Sequence, residues 1–192
     1  MKKTVQKVVG LAVLTAVVVV LQMFASAVRF GVFQISLVLI PIVVGAALYG
    51  CSGGAWLGLV FGAVVLLNGD AAAFLALSVP GTIITVLAKG TCAGLAAGLF
   101  YRLLKKTNDI VACIVAAISA PVFNTGIFVI GCRLFFFDTI STWAEAAGYM
   151  SVWKYILIAF IGGNFLVELA INIVFAPVIV KLIGLAKKEK IA

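Results

Sequence analysis

The sequence predicts an all-α integral membrane protein: a bundle of six transmembrane helices forming a single domain over residues 1–192. Three observations lead there. Hydrophobic residues make up 65% of the chain and charged residues 10%, whereas soluble domains run near half apolar and a quarter charged. With a mean hydropathy of +1.31, a chain this short has no water-shielded interior large enough for its apolar surface, so lipid is the solvent that suits it. The apolar residues also fall in runs of roughly 17 to 25, the length of a membrane-crossing helix, and not in the roughly ten-residue alternating stretches of a barrel strand. Backbone groups in lipid must be paired within the protein, which leaves only helices or a closed barrel, and run length selects helices.

The first helix is expected from Val5 to Ala27. Lys2, Lys3 and the Ala25-Ser26-Ala27 step imitate a cleavable secretory signal, but the apolar stretch Val8 to Met23 is long for one and further spans follow, so it is read as a retained helix. Val28 to Gln34, with Arg29, leads into a second helix at Ile35 to Tyr49 that carries Pro41. Gly50-Cys51-Ser52-Gly53-Gly54 reads as a tight turn. A third helix, Ala55 to Leu67, ends at Asn68-Gly69-Asp70. Ala71 to Gly81, closed by Pro80-Gly81, is too short to span and reads as a re-entrant or surface loop, which at membrane depth must be covered by protein. The fourth helix is expected at Thr82 to Leu104, the fifth at Ile110 to Gly131 and the sixth at Tyr155 to Leu185, with a longer loop from Cys132 to Lys154 before the last.

The net charge of +8 would raise nucleic acid as a partner for a soluble protein, but here the cations sit in the caps and one connection of a membrane bundle. Lys2, Lys3, Lys7, Arg102, Lys105, Lys106, Lys181, Lys187, Lys188 and Lys190 share one side of a six-span topology. The positive-inside rule places that side, with both termini, on the cytoplasmic face of the cell membrane. Trp143, Tyr149, Trp153 and Tyr155 then fall at the outer interface, where amphipathic rings settle.

Small residues recur at every fourth position as Gly54, Gly58 and Gly62 and again as Gly90, Gly94 and Gly98, so each set lies on one helix face and admits a close neighbour. Helices packed within one chain are the expected use of these faces. The chain has no His, which removes the commonest general base and metal ligand, and its four cysteines form no CxxC pair. No P-loop and no paired carboxylates occur. An enzyme is therefore disfavoured, and no cofactor, catalytic residue or metal site is expected.

Ionisable and amide side chains inside the spans are costly in lipid and mark a site or a pathway. Lys89 lies a turn or two below the outer end of the fourth helix, and Glu168 lies near the middle of the last. Asn164, Glu168 and Asn172 follow at intervals of four and share a face. Asn124 and Thr125 follow Pro121, Arg133 caps the same helix, and Asn68 closes the third. Two arrangements remain open: a buried Lys89–Glu168 ion pair that merely glues helices, or an outward-opening polar pocket built from Asn68, Lys89, Asn124, Arg133, Asn164 and Glu168.

In length, helix layout and basic ends the whole chain resembles the substrate-binding (S) components of energy-coupling factor (ECF) transporters. Three passages carry the likeness: Ala12-Val13-Leu14-Thr15-Ala16, similar to that family's AxxxA contact; the Pro41 helix followed by Gly54-Ala55-Trp56-Leu57-Gly58-Leu59-Val60-Phe61-Gly62; and Ala120-Pro121-Val122-Phe123-Asn124-Thr125-Gly126. The resemblance implies capture of a small vitamin or precursor at the outer face, beneath lids at Val28 to Gln34 and Asn68 to Gly81. It also implies a transmembrane coupling protein and two ATPase subunits as partners, docking across Ala12 and Ala16, and inward delivery by toppling of the subunit in the membrane. Lys89 and Arg133 suit a carboxylate, whereas Glu168 suits an amine, a hydroxyl or a ring N–H. A self-sufficient secondary transporter with Lys89 and Glu168 as proton relay, or a structural or regulatory subunit with no ligand, are the competing readings.

Overall fold

A computed structural model describes residues 2–27, 29–30, 33–34 and 37–189. The elements are α1 (Lys2–Ala27), β1 (Arg29–Phe30), β2 (Phe33–Gln34), α2 (Leu39–Leu67), α3 (Ala72–Leu75), α4 (Val79–Leu104), α5 (Asp109–Phe135), α6 (Phe137–Ala146), α7 (Val152–Lys154), a π-helical stretch (Tyr155–Gly162) and α8 (Gly163–Glu189). The last three run on as one rod. Counted that way, the described residues hold seven helices where six were expected, and five are long and apolar enough to cross a membrane. The expectation of an all-α membrane bundle holds; the helix count does not.

The expected second and third helices are the two arms of α2, which breaks at Gly50 with φ +80°. That backbone region is open to glycine and costly for residues with a Cβ. The chain reverses there. A Cβ added at Gly54 would lie 2.7 Å from the Ala46 Cβ, yet eight residues of straight helix would separate the two by about 12 Å. The second arm then packs antiparallel against α4 through the two glycine faces: Gly54 meets Gly94, Gly58 meets Gly90, and Gly62 meets Val86 and Leu87. The stripes read in the sequence thus face each other within one chain. On the other side of α4, Gly131 of α5 lies against Thr85 and Gly81 against Phe135, and the Tyr101 hydroxyl donates to Asp109 at 2.8 Å.

Helix starts follow local chemistry. Ser78 caps α4, its side chain accepting from the Gly81 N–H, and Pro80 falls in the first turn, where its missing N–H has no helical partner to lose. The helix therefore begins at Val79, earlier than the expected Thr82, because proline opens it and does not close the preceding loop. Asn108 caps α5 by accepting from Ile110 and Val111 at 2.8 and 3.2 Å. The supposed loop from Cys132 to Lys154 contains the end of α5 and all of α6, whose Ile140 and Ala144 are buried four residues apart on one face.

Two apolar clusters divide the bundle along its length. The larger joins Val18 of α1, Leu39, Ile42, Leu57 and Phe61 of α2, Ala97 and Tyr101 of α4, Ala112 to Ala120 of α5, and Ala176, Ile179 and Ile183 of α8. The smaller, at the other end, gathers Cys132, Phe136, Ile140, Ile156 and Ile161, with Phe74, Phe128 and Trp143 packed on it. The site lies between them. Of the expected lid Val28 to Gln34, β1 and β2 pair antiparallel with Arg29 opposite Gln34; Val28, Gly31 and Val32 lie outside the described residues.

Candidate functional site

Between the two clusters lies a cavity of about 470 Å³. α4 contributes Val86 and Lys89, α5 contributes Asn124, Thr125 and Phe128, and the last rod contributes Tyr155, Ile161, Asn164, Phe165 and Glu168. The second arm of α2 and its sequel add Phe61, Val65, Asp70, Ala71 and Phe74, and α1 adds Gln22. Four of the six expected ligand-binding residues, Lys89, Asn124, Asn164 and Glu168, are thus brought together from three helices.

Within the lining, the two central charges do not close on each other. The Lys89 Nζ stands over the rings of Phe61 and Phe128, 5.6 and 5.4 Å from their centroids, a placement that a ring quadrupole favours. Glu168 and Asp70 are its charged neighbours, but no Lys89–Glu168 ion pair within 4.0 Å forms. The buried-ion-pair arrangement left open by the sequence is not the one adopted. The Asn124 amide approaches the Glu168 carboxylate; its Oδ1 is buried and has no hydrogen-bond partner. An orphaned buried acceptor is rare unless a ligand or water completes it.

The other two expected residues do not line the cavity. Arg133 is exposed on α5, its guanidinium 4.4 Å from the centroid of Phe137. It follows Asn124 by nine residues, which at about 100° per residue puts it on the opposite helix face. Asn68 sits at the cavity's edge, donating to the Ser26 hydroxyl at 3.3 Å. Asn172 is wholly buried below the cavity, donating to the Glu168 carbonyl at 2.8 Å.

Sequence reasoning passed over Gln22 and Asp70. The Asp70 carboxylate accepts from the Gln22 amide at 2.8 Å and from the Ser26 hydroxyl at 2.5 Å, tying the end of α1 to the α2–α3 connection. It also passed over the rings of Phe61, Phe74, Phe128, Tyr155 and Phe165. Phe74 packs edge-on to Phe128, with centroids 5.6 Å apart, and joins α3 to α5 at the cavity.

Compared with known protein families, residues 6–182 match the family described as ECF transporter, substrate-specific component. The chain belongs to this family. Among curated proteins none matches it. As a substrate-specific component it is a multi-pass membrane subunit of a transporter, and its cavity has the size and mixed lining of a small-molecule site. Ala12 and Ala16 of this component lie exposed on α1, among the exposed Val9, Val13 and Val20. α1 is thus the least embedded of the long helices.

Proposed function

We propose that this subunit captures a small vitamin or vitamin precursor in the cavity between α4, α5 and the last rod, and works in an ATP-driven importer. The observation that carries the reading is the open Lys89–Glu168 arrangement: both charges line a space of about 470 Å³ without closing into an ion pair. Side chains serving structure alone would close on each other, because an unpaired charge away from water is expensive. Lys89, Asn124, Asn164 and Glu168 contact the ligand. Asn68 acts through Ser26 and Asp70 at the rim, and Arg133 has no contact with it.

In the same proposal, the cavity end of the bundle faces outward and the lysine-rich end, with Lys7, Arg102, Lys105, Lys106 and Lys181, faces the cytoplasm of the cell membrane. A transmembrane coupling protein with two ATPases binds across Ala12 and Ala16, where small side chains let helices approach closely, and the loaded subunit topples to release its ligand inward. A thermal-shift screen of the detergent-purified protein against water-soluble vitamins and precursors tests capture. A ligand at a hundred times its Kd stabilises the folded state by about 2.7 kcal/mol. Uptake that requires co-expressed coupling protein and ATPases tests the energy source; uptake by the subunit alone points to a self-sufficient carrier and overturns it.

A further inference from the structure

The charged groups of the cavity restrict what it accepts. Lys89 on α4 and Glu168 on α8 both line it without closing into an ion pair. Lys89 is held off by the faces of Phe61 and Phe128. Glu168 has the Asn124 amide beside it. The third charged group, Asp70, is already engaged by Gln22 and Ser26. A ligand entering this space displaces water from two opposite charges at once. A neutral ligand takes water from both without supplying either with a counter-charge, a simple anion serves only Lys89, and a simple cation serves only Glu168. The lining also carries the rings of Phe61, Phe74, Phe128 and Phe165, which offer stacking.

Resting on the capture reading above, we propose that the substrate is a small ring-bearing zwitterion: its acidic group meets Lys89, its cationic group meets Glu168, and its ring lies against Phe61, Phe74 and Phe128.

The test uses the purified full chain and a set of ring-bearing amino acids whose two charges stand at graded separations. Each is paired with its methyl ester, which removes the anion, and its N-acetyl derivative, which removes the cation; neutral and singly charged vitamins run alongside. Affinity is read by thermal shift and calorimetry. At least one zwitterion binds, and each cap weakens it about ten- to a hundredfold, the range of a lost hydrogen bond to a charged group. In Lys89→Met, the acid and its ester bind equally while the N-acetyl penalty remains. The parent protein's series decides alone if that variant does not fold. An ester or N-acetyl form binding as tightly as its zwitterion overturns the inference and leaves capture standing, as does a neutral or singly charged vitamin stabilising the protein when every zwitterion is flat. A folded protein that nothing stabilises overturns both.

Discussion

The seam between α2 and α4 is where a single methyl group does the most damage. A Cβ at Gly58 would stand 2.6 Å from the Gly90 carbonyl carbon and closer still to its oxygen, with the Thr91 nitrogen at 3.1 Å. Ordinary contact begins at 3.4 Å, so Gly58→Ala requires the two backbones to part by about 0.8 Å or more. Gly54–Gly94 and Gly62–Val86 lie along the same seam, so that movement loosens contacts on both sides of it. Overpacking of this kind costs about 1–3 kcal/mol, and at about 2–4 °C per kcal/mol for a chain of this size the melting temperature falls by several degrees. Gly126 is the control: it too lies inside a helix, but an added Cβ there meets nothing within 4 Å. Gly126→Ala therefore leaves stability unchanged or raises it by up to about 1 kcal/mol through helix propensity. Thermal unfolding of both variants in one detergent compares them directly. Equal melting temperatures would refute the glycine seam as the determinant of this packing.

Three further outcomes are expected. Lys89→Met lowers ligand affinity about ten- to a hundredfold by calorimetry; an unchanged affinity contradicts a ligand contact at Lys89. Asp70→Ala removes the acceptor shared by Gln22 and Ser26; it costs about 1–3 kcal/mol and speeds hydrogen exchange over residues 20–27 of α1, whereas exchange unchanged there contradicts the tether. Ala12→Trp, on an exposed face, leaves the melting temperature and ligand affinity of the isolated subunit intact but lowers its co-purification with the coupling protein; undiminished co-purification argues against docking across α1.

Much of the fold was legible because lipid imposes long apolar runs and a small set of interruptions. Gly50 announced the break in α2, and the glycine stripes announced a contact that the structure makes. Convergence of Lys89, Asn124, Asn164 and Glu168 was legible for the same reason, since a polar group in a span has few other uses. Arg133 was misplaced because proximity in sequence was used without the helical angle; nine residues from Asn124 is half a turn out of phase. α6 was taken for a loop although Ile140 and Ala144 carry a helical spacing, a signal that the surrounding aromatics and acidic residues obscured. The ring walls were not legible at all. With 14 phenylalanines in the chain, nothing in the sequence separates those facing lipid from those facing a ligand. Asp70 and Gln22 were hidden because their bond joins residues 48 apart. The π-helical stretch from Tyr155 to Gly162, which places Tyr155 and Ile161 on the cavity, has no signature in hydrophobic periodicity.

The measurement that bears most directly on the account is an experimental structure of the protein saturated with a compound that stabilises it. The account predicts that compound inside the cavity between α4, α5 and the last rod, with polar atoms within hydrogen-bond distance of the Lys89 Nζ and the Glu168 carboxylate and a ring against Phe61 or Phe128. A compound bound elsewhere, over a cavity closed by a direct Lys89–Glu168 ion pair, would contradict it.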